Sequence, residues 1–225
     1  MNQIGKLQHV ESEFREYSLD ILALSETYCK RVKKETLDQG NIFIYSGRSD
    51  GVGREGVEMM MTPRAEKALT EWRVVNSRLL LAKFKSKQCN MSIIICYAPT
   101  NDSLEERKDE HYEEMQRVID GIPERDIKFL IGDFNAKVGR NNQGIENVVG
   151  VESLGKVSNE NDVHFISFCS ANDLVIGDTT HIIAMLEIHR ILSQYSQKDL
   201  SFFKNGMFLD EEVLALGHME KWSDI

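Results

Sequence analysis

The heptapeptide Met91-Ser92-Ile93-Ile94-Ile95-Cys96-Tyr97 is β-branched through its centre and is stopped by Pro99 two residues on. A stretch of that length and composition predicts a strand. Short apolar runs of the same kind recur at residues 19–24, 41–46, 57–61, 72–75, 79–84, 127–131 and 174–176. All are of strand length, far from the roughly 20 residues that a bilayer-spanning helix needs. No membrane partner is expected.

Helical signals fall around and between these runs. Leu7, Val10, Phe14 and Tyr17 are spaced by three and four, which predicts an opening helix. A helical turn starts near Pro63. Thr100-Asn101-Asp102-Ser103 offers N-cap chemistry ahead of the stripe Leu104, Lys108, His111, Met115, Val118 and Ile119, and Pro123 closes that helix. Its seven acids from Asp102 to Glu114 form the solvated face. A further helix is expected near residues 163–172. Several strands therefore follow one another without crossover helices, the pattern of a layered α/β domain rather than a doubly wound one.

At 225 residues the chain is long enough for one large domain. With 41% hydrophobic and 28% charged residues it is neither collagen-like, nor a disulfide scaffold, nor wholly disordered. No charged-then-apolar leader opens it, so an intracellular protein is expected, with nucleus and cytoplasm both open. Cys29, Cys89, Cys96 and Cys169 have no Cys-x-x-Cys spacing and predict neither a zinc site nor disulfides. The charge of 27 − 36 = −9 disfavours non-specific wrapping of nucleic acid, which wants a basic field. Two local clusters run against that balance. Lys30, Arg31, Lys33 and Lys34 form one, and Lys83, Lys85 and Lys87, which would share one face of a strand, form the other. Each is either a solvated face or a DNA-facing rim.

Three strand ends carry the candidate chemistry. The run 127–131 passes into Gly132-Asp133-Phe134-Asn135, where an extended chain would turn Asp133 and Asn135 to one face. An Asp and an Asn side by side offer a base, or a metal-oriented acceptor, next to a neutral amide donor. The same residues also suit an ordinary turn. Gly132, without a side chain, permits close approach of a phosphate or of another backbone. Glu26, at the end of an apolar strand, is either a surface carboxylate or an oxygen ligand for a hard cation such as Mg²⁺. Tyr97, before Ala98-Pro99, is either a core aromatic with its hydroxyl at the rim or part of the site.

Taken in order, Leu24-Ser25-Glu26-Thr27, Cys96-Tyr97-Ala98-Pro99-Thr100 and Ile131-Gly132-Asp133-Phe134-Asn135 resemble the endonuclease/exonuclease/phosphatase superfamily. Trp72-Arg73-Val74-Val75-Asn76-Ser77-Arg78, Asn135-Ala136-Lys137-Val138-Gly139, Phe168-Cys169 and Asn172-Asp173-Leu174-Val175-Ile176-Gly177 narrow the resemblance. They are similar to the branch shared by craniofacial development protein 2-like proteins and the endonuclease domains of LINE-type retrotransposons. The resemblance covers about residues 5 to 180. It implies a four-layered α/β sandwich of two packed mixed sheets flanked by helices, with a site at one end. It further implies a Mg²⁺- or Mn²⁺-dependent phosphodiesterase, a DNA endonuclease of retroelement origin that hydrolyses by metal-assisted attack of water. By the same resemblance Glu26 binds the metal, Tyr97 contacts the scissile phosphate, and Asn135 holds a phosphate oxygen. Asp133 orients or activates the water, or protonates the leaving group. DNA is the implied ancestral substrate.

The family pattern also has an opening strand with an Asn, a later Asp, and a terminal Ser-Asp-His whose His pairs with that Asp. Here Met1 begins at the first helix, and Asp210 and Ser223-Asp224 are partial matches with no His following. His181 and His189, eight residues apart, read as helix residues rather than as a replacement base. The sequence thus predicts an incomplete sandwich: a partial domain over 1–180 and a divergent tail over 181–225, in which 181–192 and 210–216 pattern as amphipathic helices. The expected origin is a retroelement-derived fragment cut at both ends. A catalytically inactive remnant or binding module of the same fold is the alternative to an enzyme.

Overall fold

The computed structural model describes residues 3–27, 32–47, 55–86, 89–136, 148 and 160–176, together with the backbone of three later strands. Its elements are α1 (Gln3–Glu16), β1 (Leu19–Ser25), β2 (Lys33–Thr36), β3 (Ile42–Ser46), β4 (Val57–Met61), α2 (Pro63–Ala68), β5 (Leu69–Asn76), β6 (Leu79–Phe84), β7 (Met91–Tyr97) and α3 (Glu105–Asp120). There follow β8 (Ile127–Asp133), α4 (Glu160–Ala171), β9 (Leu174–Ile176), β10 (Ile183–Leu186), β11 (Met207–Asp210) and β12 (Val213–Gly217).

The strands form two six-stranded sheets, ordered β11-β12-β1-β4-β3-β2 and β5-β6-β7-β8-β10-β9. Every pairing of the first is antiparallel. In the second, β7 and β8 run parallel, joined by α3 as the crossover that a parallel pair requires. The layers explain why the central strands are mostly apolar on both faces. Between the sheets, Ile21, Ala23, Ile44 and Met59 meet Leu80, Ile93, Ile95, Phe129 and Ile131. On the outer face of the second sheet, Leu81, Ile94, Cys96 and Leu130 lie beneath Met115 and Val118 of α3 and Phe165 and Cys169 of α4. On the outer face of the first, Leu22, Leu24, Phe43 and Met60 are covered by Phe14 of α1. Alternate residues of β1 and β7 thus face two different apolar layers, and both faces are buried. The result is a four-layered α/β sandwich.

Several local expectations are corrected. Strand β2, Lys-Lys-Glu-Thr, has no apolar alternation and was not predicted; it pairs with β3 at the sheet edge, where charged residues blunt further association. Its Lys34 pairs with Glu66 at 2.8 Å and its Lys33 with Glu35, so these two cations are neutralised locally. Lys30 and Arg31 lie outside the described residues. Of the second basic cluster only Lys83 sits on a strand, paired with Glu71 at 3.0 Å; Lys87 lies outside the described residues. Helix α3 starts at Glu105 with Leu104 in the cap position and no side-chain cap; the Thr100 and Ser103 hydroxyls bond each other instead, at 3.2 Å. Tyr17 leaves the α1 stripe and is 50% exposed, because the helix ends at Glu16 and Ser18 turns to φ 52°.

The largest difference is in the chain after residue 180. Within the two spans expected to be helical, the described residues form strands: Ile183–Leu186 inserts between β8 and β9, and Val213–Gly217 pairs along β1 with Met207–Asp210 outside it. Periodicity over four or five residues does not separate a strand from a helix. An available sheet edge decides it.

Candidate active site

Strand β1 packs across the sandwich from β7 and β8, so their C-terminal ends gather the residues that follow. Glu26 comes immediately after β1 and adopts φ 56°, a left-handed conformation uncommon for a residue with a β-carbon. Its Oε1 accepts a hydrogen bond from the Tyr97 hydroxyl at 2.5 Å, across the gap between the sheets. Tyr97 is the last residue of β7, is only 7% exposed, and belongs to the apolar layer between the sheets. Directly beside it in register stands Asp133, the last residue of β8. The phenol is held well above its usual ionisation range. Burial is the largest cause, followed by the hydrogen bond to Glu26 and the negative charges of Glu26 and Asp133. Tyr97 is therefore a hydrogen-bond donor at any ordinary pH.

Gly132 resolves its own ambiguity. It is opposite Cys96, has φ 139°, and a β-carbon built on it would lie 1.9 Å from the Cys96 carbonyl oxygen. The close approach is to the β7 backbone rather than to a phosphate. The extended course expected through residue 135 ends at Asp133, since Asn135 turns to φ 50°. Phe134 goes into the outer apolar layer against Phe165, ring centroids 4.2 Å apart. Asp133 Oδ1 accepts from the Asn135 backbone N–H at 2.7 Å, the Asp turn that the sequence also allowed. Turn and site are thus one structure, and the turn orients the carboxylate. Asn135 Nδ2 donates to the Ala98 carbonyl at 2.8 Å, tying the loop after β8 to the loop after β7.

Three further residues support this end of the sandwich without having been predicted as site residues. Arg78, in the β5–β6 turn, donates to the Tyr97 and Ala98 carbonyls at 2.9 and 3.1 Å and pairs with Glu55 at 2.8 Å. Asn161, in the first turn of α4, is 2% exposed and donates to the carbonyls of Pro99 at 3.0 Å and Asn135 at 3.1 Å. Arg78 stands in a stretch that supported the family resemblance, but nothing local marks it as reaching β7. Glu55 and Asn161 carry no sequence signal at all, because their partners are distant in the chain.

The donor set suits a hard divalent cation. Glu26 brings a carboxylate with one oxygen already oriented by Tyr97, and the neighbouring Thr27 Oγ1 is buried with no hydrogen-bond partner among the described residues. Mg²⁺ typically takes one or two carboxylates and completes its shell with water and phosphate oxygens. Among the described residues no group of three or more His, Cys, Asp and Glu forms an all-protein cage. Ser223, Asp224, His181 and His189 lie outside the described residues, while Asp210 closes β11.

No family model matches the chain. Over 175 residues, 78% of its length, it is 34% identical to craniofacial development protein 2 of Bos taurus. Over that stretch the chain is homologous to part of craniofacial development protein 2. It spans 29% of that relative's length. Its fold is found in solved structures, among them two endonucleases. The endonuclease domain of TRAS1, a telomere-specific non-LTR retrotransposon, superposes with a TM-score of 0.54 at 11% identity, covering 92% of this chain and 90% of that one. The AP endonuclease LMAP from Leishmania major gives 0.51 at 10% identity, covering 78% and 72%. The chain therefore has the α/β sandwich fold of those two endonuclease structures.

Proposed function

We propose that the chain is a divalent-metal-assisted phosphodiesterase acting on DNA, with Glu26, Tyr97, Asp133 and Asn135 as its site. The observation that carries this reading is the 2.5 Å bond between Tyr97 and Glu26, made across two sheets at the end where Asp133 also stands. Hydrolysis of a phosphodiester needs donors for a phosphoryl group gaining charge and a positioned acceptor for the proton of the attacking water. Tyr97, kept protonated by burial and its anionic neighbours, supplies one donor when its single O–H turns from Glu26 to the phosphoryl oxygen. Asn135 supplies a neutral amide whose direction is set by the Ala98 carbonyl. Asp133, held by the Asn135 N–H, is the acceptor for the water proton. Glu26 would hold Mg²⁺ or Mn²⁺, which when bound spreads the developing negative charge. The relationship to retroelement endonucleases and DNA as substrate belong to the same proposal, supported by the fold shared with the TRAS1 domain.

The test is nicking of supercoiled plasmid by the purified chain with and without Mg²⁺. Metal-dependent nicking that falls by roughly 10²–10⁴ in Asp133→Ala is the expected result. Nicking that persists in Asp133→Ala, or none above background in the parent chain, rejects the reading. The second outcome would favour a non-catalytic member of the same fold, for which the internal pairing of Asp133 with the Asn135 backbone is the supporting observation.

A further inference from the structure

Three consecutive backbone carbonyls, those of Tyr97, Ala98 and Pro99, are each taken by a side chain from elsewhere in the fold. Arg78 bonds the first two, Asn135 shares the second, and Asn161 takes the third. A segment leaving a strand ordinarily satisfies such groups with water or with its own turn. Here it is pinned from three directions, and Arg78 does most. Its Nη1 donates to both the Tyr97 and Ala98 oxygens. Its guanidinium carbon lies 4.8 Å from the centroid of the Tyr97 ring, over its face. Its Nη2 is braced by Glu55 Oε1, whose second oxygen accepts from Ser77 Oγ at 2.8 Å. Arginine and glutamate side chains are 21% and 17% exposed, so the brace is largely shielded from solvent.

We propose that Arg78 is a positioning residue for Tyr97: it fixes the backbone and ring of that residue so that the phenol meets Glu26. The planar fork is what allows one side chain to grip two carbonyls, a carboxylate and a ring face at once, which a lysine cannot do. The positive charge also opposes the anionic field of Glu26 and Asp133 at the phenol. The catalytic consequence rests on the phosphodiesterase reading above, whereas the geometric one does not.

The experiment therefore observes Tyr97 directly. The full chain is labelled with [¹³Cζ]tyrosine, the Tyr97 resonance is assigned by its absence in Tyr97→Phe, and its position is compared between variants at one neutral pH, with Glu26→Ala as the reference for a phenol without that acceptor. In the parent the signal is distinct from that of Glu26→Ala. In Arg78→Met it is displaced at least about halfway to the Glu26→Ala position, with Arg78→Lys between the parent and Arg78→Met. Asn161→Ala, which releases the Pro99 and Asn135 carbonyls without touching the ring, leaves the signal near that of the parent. A parent-like signal in Arg78→Met overturns the proposal. So does an Asn161→Ala displacement as large as that of Arg78→Met, because the effect would then be general loosening. If Arg78→Met does not fold, Arg78→Lys and Glu55→Gln must both displace the resonance, and an unmoved signal in either is the overturning result. Plasmid nicking is assayed alongside: Arg78→Met lowers kcat at least about tenfold with little change in KM. A parent chain that does not nick rejects the phosphodiesterase reading, while the resonance still decides the role of Arg78.

Discussion

Gly132 is the position where a single atom decides most. Its absent β-carbon lets β8 lie against β7, since any side chain there would meet the Cys96 carbonyl, which is backbone and cannot swing aside. Gly132→Ala combines that clash with a strained positive φ, and a loss of at least about 3 kcal/mol, or no cooperative fold, is expected on urea denaturation. A near-parental midpoint would mean the strands are less closely apposed. Tyr97 gives the complementary case, a small loss of stability with a large loss of chemistry. Tyr97→Phe removes one hydroxyl and should cost about 1 kcal/mol of stability. In the phosphodiesterase reading it slows nicking by roughly 10²-fold, the typical effect of deleting one donor to a charged transition state. A rate unchanged by the substitution would remove Tyr97 from the site.

Helix α3 shows how one element is tuned by what it buries. His111 is 6% exposed, with Nε2 lacking a partner among the described residues, and its pKa is pushed down from 6.5 to about 4. Burial is the main cause, the Arg78 charge adds to it, and Glu55 opposes. The unfolded chain therefore binds a proton between those two values when the folded chain does not. Stability from this residue is complete above pH 6.5 and is lost as pH falls toward 4, by about 3 kcal/mol in all. Denaturation at a series of pH values should show that slope, and His111→Phe should flatten it; an unchanged slope would place the acid sensitivity elsewhere. At the start of α2, Thr62 Oγ1 accepts from the Ala65 N–H at 3.2 Å and donates to the buried Asp20 at 2.9 Å. Thr62→Ala loses the cap and one partner of a buried carboxylate, and about 1–2 kcal/mol of unfolding free energy should go with them.

For the molecule as a whole, the decisive segment is the one after residue 180. Strands β10 and β12 lie beside β8 and β1, so both sheets depend on the end of the chain. Ending the chain at residue 180 would open the edges of two strands that are apolar on both faces. The shortened protein is expected to aggregate, or to unfold without a cooperative thermal transition. A soluble product with native near-ultraviolet dichroism would make 181–225 the separable tail that its sequence suggested. No helix of the described residues is long and apolar enough to cross a membrane.

The long, strongly patterned elements were determined locally. β7 and β8 are mostly apolar because both of their faces are buried, and α3 shows its stripe because one face covers a sheet. The four candidate site residues were also marked locally, since each stands at the end of an apolar run. Their meeting was not. The Glu26–Tyr97 bond spans 71 residues and the Asn161–Pro99 bond 62, and such partners are chosen by which strand ends the sandwich brings to one edge. The same holds for Arg78 and Glu55, each an ordinary surface charge until paired. β2 and the late strands have too few residues for a period to register, and their conformation comes from the edge they complete. Patterns within a strand or helix follow from the burial of its own faces, so sequence carries them. Contacts between ends of different elements depend on the packing of all of them together, which only the tertiary structure decides.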